Sequence, residues 1–396
     1  MCATDPGMLV KSLLMAVAAL AVLSLAVSTA PAIEQSPGER QRFRVLGPLR
    51  TYTTSQSWIE VDYGRLAGNA AAVLRHLPAG ALPLAMVQGN GYGHGLDLAA
   101  KAFMGAGFQE LGVNDINEAI TLRQEGVEVP IHVMLQPDYL TARVAALEDL
   151  EIYVEDLTFT KLLCSETMAV KRERPMQVHI MVALRPAVQG VVSKEDALEL
   201  IEYIEACSSL QLRGLAADYG LPEELQNFAA ELSQTGASIK AVNMAASPHM
   251  LRNKGYALDI VRVGAALYGQ QETVPGTRSA ARWLSRIVSL RKVAEGDVLH
   301  DGHRAKADME VAVIYHGYTD AYQVDEFVVM GKKCQRVDLA NSMHVTMINV
   351  SHVAGVRVGD LVRLHGCSAE EDGICLKKPL SLAAVSIGVP RIPKWD

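Results

Sequence analysis

The chain alternates between short apolar runs and longer stretches in which apolar residues recur every three or four positions. The runs fit buried parallel strands, and the stretches between them fit helices with one apolar face. Eight such runs follow one another: Leu82–Val87, Glu110–Val113, Pro130–Leu135, Glu151–Val154, Gln177–Leu184, Leu212–Ala217, Ala241–Ala245 and Ile260–Gly264. Eight strand–helix units predict a (β/α)8 TIM-type barrel of the α/β class. An open doubly wound sheet is the alternative, but no G-x-G-x-x-G sequence follows the first strand.

The pattern changes near Trp283 to alternating, β-branched segments such as Val311–Tyr315 and Val345–Val350. Such segments, separated by short turns, predict a small all-β domain. We therefore expect a barrel over residues 57–282 and a C-terminal all-β domain over 283–396. Residues 33–56 are polar, contain Pro and Gly, and are interpreted as a linker.

The first 32 residues differ from the rest of the chain. Lys11 precedes an uncharged apolar run over residues 12–27, and small residues ending in Ala30-Pro31-Ala32 follow it. This order predicts a secretory signal peptide over residues 1–32, and so an exported protein, periplasmic or secreted, without a membrane segment after cleavage. An uncleaved membrane anchor is the alternative, although the run is shorter than the ~20 residues that a span needs.

Composition excludes several other classes of protein. Hydrophobic residues make up 49% and charged residues 20% of the chain, which is typical of a globular protein rather than a disordered one. A formal net charge of -7 and only 5% aromatic residues argue against a nucleic-acid partner.

Export changes the interpretation of the cysteines. Removal of the signal leaves five of them: Cys164, Cys207, Cys334, Cys367 and Cys375. In an oxidising compartment a disulfide between Cys367 and Cys375 would close the polar stretch between them, and two free thiols are the alternative. None of the cysteines has the CxxC spacing of a zinc site, and no metal site is predicted.

Three segments carry a resemblance to a known family. They are Trp58–Asp62, the glycine-rich MVQGNGYGHG of residues 86–95, and DIVRVGAALYG of residues 259–269. In this order and spacing they are similar to segments of the alanine racemases, pyridoxal-phosphate (PLP) enzymes of fold type III. The resemblance extends from about Trp58 to Trp395, and it implies the same barrel-plus-β-domain fold and a homodimer.

The resemblance also implies which residues would carry the chemistry. In the family a lysine after the first barrel strand forms a Schiff base with PLP, and a tyrosine from the partner's β domain acts on the opposite face of the substrate. Here Gln88 stands at the lysine position and Asp301 at the tyrosine position. A primary amide is not a nucleophile and does not ionise near neutral pH, so no covalently bound PLP is expected.

Other positions of the family's site are also substituted. Val188 stands where an arginine contacts the cofactor's phenolic oxygen, Asp218 replaces a histidine beside the cofactor ring, and Met244 replaces a phosphate-binding serine. Four positions are retained: Tyr92, Arg262, Gly264 and Met343. The resemblance thus assigns Tyr92, Asp218, Met244, Arg262 and Gly264 to a degenerate cofactor site, and Val188 and Met343 to substrate binding. Arg262 has a second interpretation, an ion pair with a carboxylate at the barrel mouth.

Three functions remain open from the sequence. The first is a binding or scaffold protein without PLP chemistry, with an unknown small-molecule or protein ligand. The second is an active periplasmic PLP-dependent racemase, for alanine or of broad specificity, which needs another lysine, and Lys101 is the only one nearby. The third is an enzyme of a different kind at the barrel mouth, in which the segment His300–His303 and Asp218 would bind a metal or act in acid–base catalysis. A solvated polar loop is the simpler interpretation of that segment.

Overall fold

The computed structural model describes most of the chain after residue 56. The described residues are 57–185, 188–245, 251, 258–270, 274–299, 301–320, 324–337, 342–368, 374–376 and 390–394. The predicted signal peptide and linker lie outside the described residues.

Eight parallel strands close into a barrel, and together with the β domain described below they confirm the predicted fold class. The strands are β2 (Leu82–Met86), β3 (Glu110–Val113), β4 (Ile131–Val133), β5 (Glu151–Val154), β6 (Met176–Met181), β7 (Leu210–Ala217), β8 (Val242–Ala245) and β9 (Ile260–Val263). Each lies within or next to one of the eight apolar runs. The barrel closes where β2 pairs with β9, with Leu82 opposite Ile260.

Helices surround the barrel, and the longer ones bury one face each against it, whereas the short second one is a left-handed turn. They are α1 (Tyr63–His76), α2 (Gln88–Tyr92), α3 (Leu96–Ala106), α4 (Ile116–Gln124), α5 (Ala142–Leu147), α6 (Leu157–Val170), α7 (Lys194–Ala206) and α8 (Pro222–Ser233). Several begin at a side chain that accepts a hydrogen bond from the first turn, as Asp156 does for α6 and Ser193 for α7. None of the helices in the described part of the chain is both long and apolar enough to cross a bilayer.

The C-terminal strands form the predicted β domain. They are β10 (Ala281–Val293), β11 (Met309–Tyr315), β12 (Glu326–Val329), β13 (Lys332–Gln335), β14 (Val345–Asn349), β15 (Leu361–Ser368), β16 (Ile374–Leu376) and β17 (Arg391–Lys394). Trp283, on β10, is the largest fully buried side chain.

One strand of the β domain precedes the barrel in the sequence. Strand β1 (Ser57–Asp62) pairs antiparallel with β10, placing Ile59 opposite Trp283, and parallel with β17, placing Ile59 opposite Arg391. The boundary at residue 57 therefore separates the linker from the β domain's first strand rather than from the barrel. An alternating pattern indicates a strand but not its partners, which explains the difference.

The β domain also contacts the barrel near the carboxyl ends of its strands. Arg391 of β17 donates a hydrogen bond from Nε to the carbonyl oxygen of Gly93, 3.0 Å away, in the loop that follows β2. The last described strand thus supports the loop that begins with Gln88.

A disulfide joins two of the outer elements of the barrel. It links Cys164 of α6 to Cys207, which caps the end of α7. Cys334 is a buried free thiol. Cys367 and Cys375 are opposite each other in the antiparallel pair of β15 and β16, but their side chains lie outside what the structure describes, so the predicted disulfide stays a prediction.

Candidate functional site at the barrel mouth

The carboxyl ends of the barrel strands bring three of the predicted site residues to one end of the molecule. Gln88 follows β2, Asp218 follows β7, and Arg262 is the third residue of β9. Catalytic and binding groups of (β/α)8 barrels lie at this end because all strands are parallel and their loops converge there. The mouth is therefore the candidate site.

Gln88 begins an unusual left-handed turn. Gly89, Asn90 and Gly91 have φ of 63°, 55° and 61°, values that favour residues without a β-branch. The Glu118 carboxylate accepts from the backbone N–H of Asn90 at 2.7 Å, and the Asn90 side chain accepts from the N–H of Leu96 at 2.9 Å. Two side chains thus hold a loop that is conformationally costly on its own.

The Gln88 side chain presents an amide at the start of this turn. Its Oε1 atom is buried and has no hydrogen-bond partner among the described residues. A buried acceptor without a donor costs roughly 1–3 kcal/mol, so this atom is suited to receive a donor from a bound molecule. It supplies no amine that could form an imine.

Tyr92 packs between Tyr268 and Gly264. Its ring stacks on Tyr268 with centroids 4.7 Å apart. A Cβ atom added to Gly264 would lie 2.0 Å from the Tyr92 hydroxyl, so only glycine fits there. Burial raises the pKa of Tyr92, and this effect outweighs the lowering by the nearby charge of Arg262. The phenol therefore stays protonated. This packing gives Tyr92 and Gly264 a structural role that does not depend on a cofactor.

Arg262 makes the ion pair that was one of its two predicted interpretations. Its Nη1 atom lies 2.7 Å from Oδ1 of Asp218 and 3.3 Å from the sulfur of Met134, and its Nη2 atom donates to the carbonyl oxygen of Ala217. The arginine is 4% exposed, whereas the Asp218 side chain is 38% exposed. Asp218, which the resemblance places at the family's histidine position, therefore neutralises Arg262.

The remaining predicted residues are more dispersed. Met244 is buried in β8, and Val188 lies half-buried in the loop after β6. Asp301 lies in the connection between β10 and β11, where it accepts from the N–H of His303 at 3.0 Å. Met343 precedes β14 and is exposed, and its carbonyl oxygen accepts from the Thr319 hydroxyl at 2.7 Å.

Two alternatives from the sequence can be compared with this geometry. Lys101 lies on the outer helix α3, half-exposed, with ion pairs to Asp97 at 3.7 Å and Glu125 at 3.6 Å. His303 is 60% exposed beside Asp301, with 3.4 Å between Nδ1 and Oδ2. Among the described residues, no metal-ligating group of three includes Asp218, Asp301 or His303.

A polar cluster inside the barrel was not predicted from the sequence. It consists of Glu110, His132, Glu151, His179 and Arg213, one from each of the consecutive strands β3 to β7. The sequence does contain a signal for this cluster, namely histidine and carboxylate residues within otherwise apolar strands. Because burial of an unpaired polar group is costly, such residues indicate that they pair with one another.

The fold and the mouth together define a (β/α)8-barrel protein with a C-terminal β domain, and the first strand of the chain, β1, joins the sheet of that domain. The alanine racemase N-terminal domain model matches residues 61–272, and the alanine racemase C-terminal domain model matches residues 280–381. The chain belongs to the alanine racemase family.

Individual relatives support the same membership. An alanine racemase of Sorangium cellulosum is 30% identical over 76% of this chain and 86% of its own length. One from Methylacidiphilum infernorum is 26% identical over 80% of this chain and 85% of its own length.

Solved structures share the fold. The alanine racemase of a D-cycloserine-producing Streptomyces lavendulae superposes with a TM-score of 0.77 at 19% identity, over 87% of this chain and 98% of that chain. The enzyme from Bacillus anthracis gives a TM-score of 0.73 at 23% identity, over 85% and 94%.

The family depends on PLP, but the residues at this mouth do not fit a covalently held PLP. Gln88 offers a buried carbonyl oxygen instead of an amine, and the guanidinium of Arg262 is engaged by Asp218.

Proposed function

We propose that this chain is an exported member of the alanine racemase family without PLP chemistry, which acts as a binding or scaffold protein. The observation that carries the proposal is the Gln88 carboxamide, which stands at the position of the Schiff-base lysine with its Oε1 atom buried and unpartnered. An amide cannot form an imine or transfer the substrate proton, and both are needed for racemisation.

The Arg262–Asp218 ion pair supports the same proposal. In the family an arginine at this position faces the cofactor ring beside a histidine. Here the guanidinium donates to a carboxylate 2.7 Å away and to a main-chain carbonyl. Its charge is therefore already compensated by Asp218, and among its three nitrogens Nε is the one that is buried without a partner among the described residues.

The mouth also favours a different kind of ligand. Gln88 Oε1 is an acceptor without a donor, and the Asp218 carboxylate is 38% exposed. Both groups lie at the carboxyl end of the barrel and both attract hydrogen-bond donors. The ligand is a neutral or cationic molecule with N–H or O–H groups, or a protein segment that presents them.

Two further features, one in the sequence and one in the structure, support the proposed export. Residues 1–32 have the order of a signal peptide, and the Cys164–Cys207 disulfide is of a kind that persists in oxidising compartments. When the full chain is expressed in a Gram-negative host, the protein should be recovered from the periplasm with Ile33 as its first residue. Recovery from the cytoplasm with residues 1–32 intact would contradict export.

Covalent trapping tests the absence of PLP chemistry. The purified protein is incubated with PLP, reduced with borohydride and mapped by peptide mass spectrometry, with the Bacillus anthracis alanine racemase as the positive control. We expect the control to carry a pyridoxyl group and the peptide containing Gln88 to carry none. A stoichiometric adduct at the barrel mouth, or conversion of L-alanine to D-alanine by the PLP-treated protein, would overturn the proposal in favour of an active racemase.

A further inference from the structure

Two histidines inside the barrel each have their Nε2 atom near the same carboxylate oxygen. His132 Nε2 lies 3.5 Å and His179 Nε2 lies 3.3 Å from Oε2 of Glu151. The three ligand atoms lie within 4.8 Å of one another, and all three residues are buried. This convergence is independent of Gln88 and of the barrel mouth.

We propose that His132, Glu151 and His179 form a binding site for a transition-metal ion, zinc above all, inside the barrel. Zinc binds imidazole nitrogen and carboxylate oxygen at ~2.0–2.1 Å in tetrahedral geometry, which separates neighbouring ligand atoms by about 3.3 Å. The distances to Glu151 Oε2, 3.3 Å from His179 Nε2 and 3.5 Å from His132 Nε2, are close to this value.

A fourth ligand is available next to the three. Oε2 of Glu110 lies 2.9 Å from Nε2 of His132, while its other oxygen accepts from Arg213 Nη2 at 2.8 Å. A set of two imidazoles and two carboxylates completes four-coordinate geometry and leaves no open position, whereas catalytic zinc keeps one.

The outer partners of these ligands are also in place. Nδ1 of His132 lies 3.2 Å from the Tyr153 hydroxyl, and Nδ1 of His179 lies 3.2 Å from the Asn243 carboxamide. Arg213 donates to both oxygens of Glu151, at 2.8 and 2.7 Å. The Asn243 amide nitrogen donates to Nδ1 of His179, so Nε2 carries the ring proton in this arrangement. Metal binding requires the other tautomer, in which Nδ1–H donates to Oδ1 of a rotated Asn243 carboxamide, an oxygen that is buried without a partner among the described residues.

The site is separated from the mouth by methionines. Met134 directly follows β4, two residues after His132, and Met181 ends β6, two residues after His179; both are buried. The side chain of Arg213 is 21% exposed, and Glu110 and Glu151 are the first residues of β3 and β5. The ion therefore enters from the amino-terminal end of the barrel and holds β4, β5 and β6 together.

Zinc titration of the full, untagged chain tests the site. The protein is stripped with a chelator and titrated with zinc, and bound metal is counted by plasma mass spectrometry. We expect one zinc ion per chain. His179→Gln and Glu151→Gln should abolish stoichiometric binding, and Tyr153→Phe, which removes only an outer partner, should weaken it by about 10–100-fold. Circular dichroism of each variant verifies that it is folded.

The matched control is His303→Gln, which removes a histidine that also faces a carboxylate but lies exposed in the β domain. It should leave zinc binding unchanged. X-ray absorption of the zinc-loaded wild-type protein gives a measurement that needs no variant, and we expect two imidazoles, oxygen and no sulfur around the ion. A wild-type protein without stoichiometric zinc, binding that His303→Gln abolishes, or a sulfur-ligated ion would each overturn the proposal.

Discussion

Arg262 and Asp218 form an ion pair at the barrel mouth, with Nη1 and Oδ1 2.7 Å apart. The arginine is almost fully buried, and it also donates to the Ala217 carbonyl. Asp218, which the resemblance places where the family has a histidine, compensates the charge of Arg262, whereas Nε of Arg262 is buried without a hydrogen-bond partner among the described residues.

Replacement of Gln88 by lysine alone should not restore racemase activity. The new amine would have Asp218 near it instead of a histidine, Met244 instead of a phosphate-binding hydroxyl, and Asp301 instead of the second acid–base group. Loss of one such group typically lowers the rate by about 10²–10⁴-fold. D-alanine formation from L-alanine with added PLP should stay at background for Gln88→Lys.

The double variant Gln88→Lys with Asp301→Tyr separates the missing lysine from the missing tyrosine. It should recover at most traces of activity, because the shell around the cofactor remains altered. Robust turnover by the single variant would show that the rest of the site is intact and that the assignment of the substituted positions is wrong.

Asp218→Asn should lower the free energy of unfolding at pH 7 by about 1–2 kcal/mol, because it leaves a buried guanidinium without its counter-charge. A fully buried pair would lose ~3–5 kcal/mol, and the exposure of Asp218 reduces this cost. Urea denaturation monitored by circular dichroism measures the change. Glu224→Gln, which breaks the exposed pair with Arg185, is the control and should have a smaller effect. Equal losses in both variants would contradict a special role for the mouth pair.

Stability should fall as the pH decreases below about 6.5, in part through His94. Burial lowers the pKa of His94 to about 4, below the usual value of 6.5. The unfolded chain therefore binds a proton between pH 6.5 and 4 that the folded chain does not, and the contribution to stability, at most about 3 kcal/mol, is present above pH 6.5 and lost below it. His94→Asn should make unfolding free energy less dependent on pH in this window. His365, whose pKa is also about 4, should keep part of the slope. If His94→Asn and wild type show the same pH dependence of the free energy of unfolding, the lowered pKa of His94 does not contribute to it.

Reduction of the Cys164–Cys207 disulfide should destabilise the protein. The bridge closes a loop with a sequence separation of 43 residues, for which loop-closure entropy gives about 4 kcal/mol. The pair Cys164→Ser and Cys207→Ser should lose a comparable amount in urea denaturation, and reductant should then have no further effect on that variant. If reductant shifts wild type and the double serine variant equally, the bridge does not carry this stability.

The chain should form a homodimer in which the partner's β domain approaches each barrel mouth. Light scattering should give about twice the mass of one chain, which is 42.8 kDa with all 396 residues. Asp301→Cys mixed with Gln88→Cys should form an interchain disulfide on oxidation, whereas Asp301→Cys mixed with Lys101→Cys should not, because Lys101 is on an outer helix. A purely monomeric protein at micromolar concentration would contradict the dimer.

The repeat of apolar runs was enough to predict the barrel. Strands in a parallel barrel are buried on both faces, so runs such as Ile260–Gly264 are marked by composition alone. The change to alternating segments near Trp283 marked the β domain for a different reason, since alternation indicates a sheet with only one buried face. The substitution that the resemblance assigns to Gln88 is also visible in the sequence, because it falls inside the glycine-rich segment of residues 86–95.

Tertiary structure alone decided which side chains meet. Arg262 and Asp218 are 44 residues apart, and the order of strands in the closed barrel, not any local pattern, brings them within hydrogen-bond distance. The same holds for His132, Glu151 and His179, which looked like isolated polar residues in apolar strands. Local sequence fixes the period and the burial of an element, whereas pairing and register, which also place Ser57–Asp62 in the β domain, arise from long-range packing.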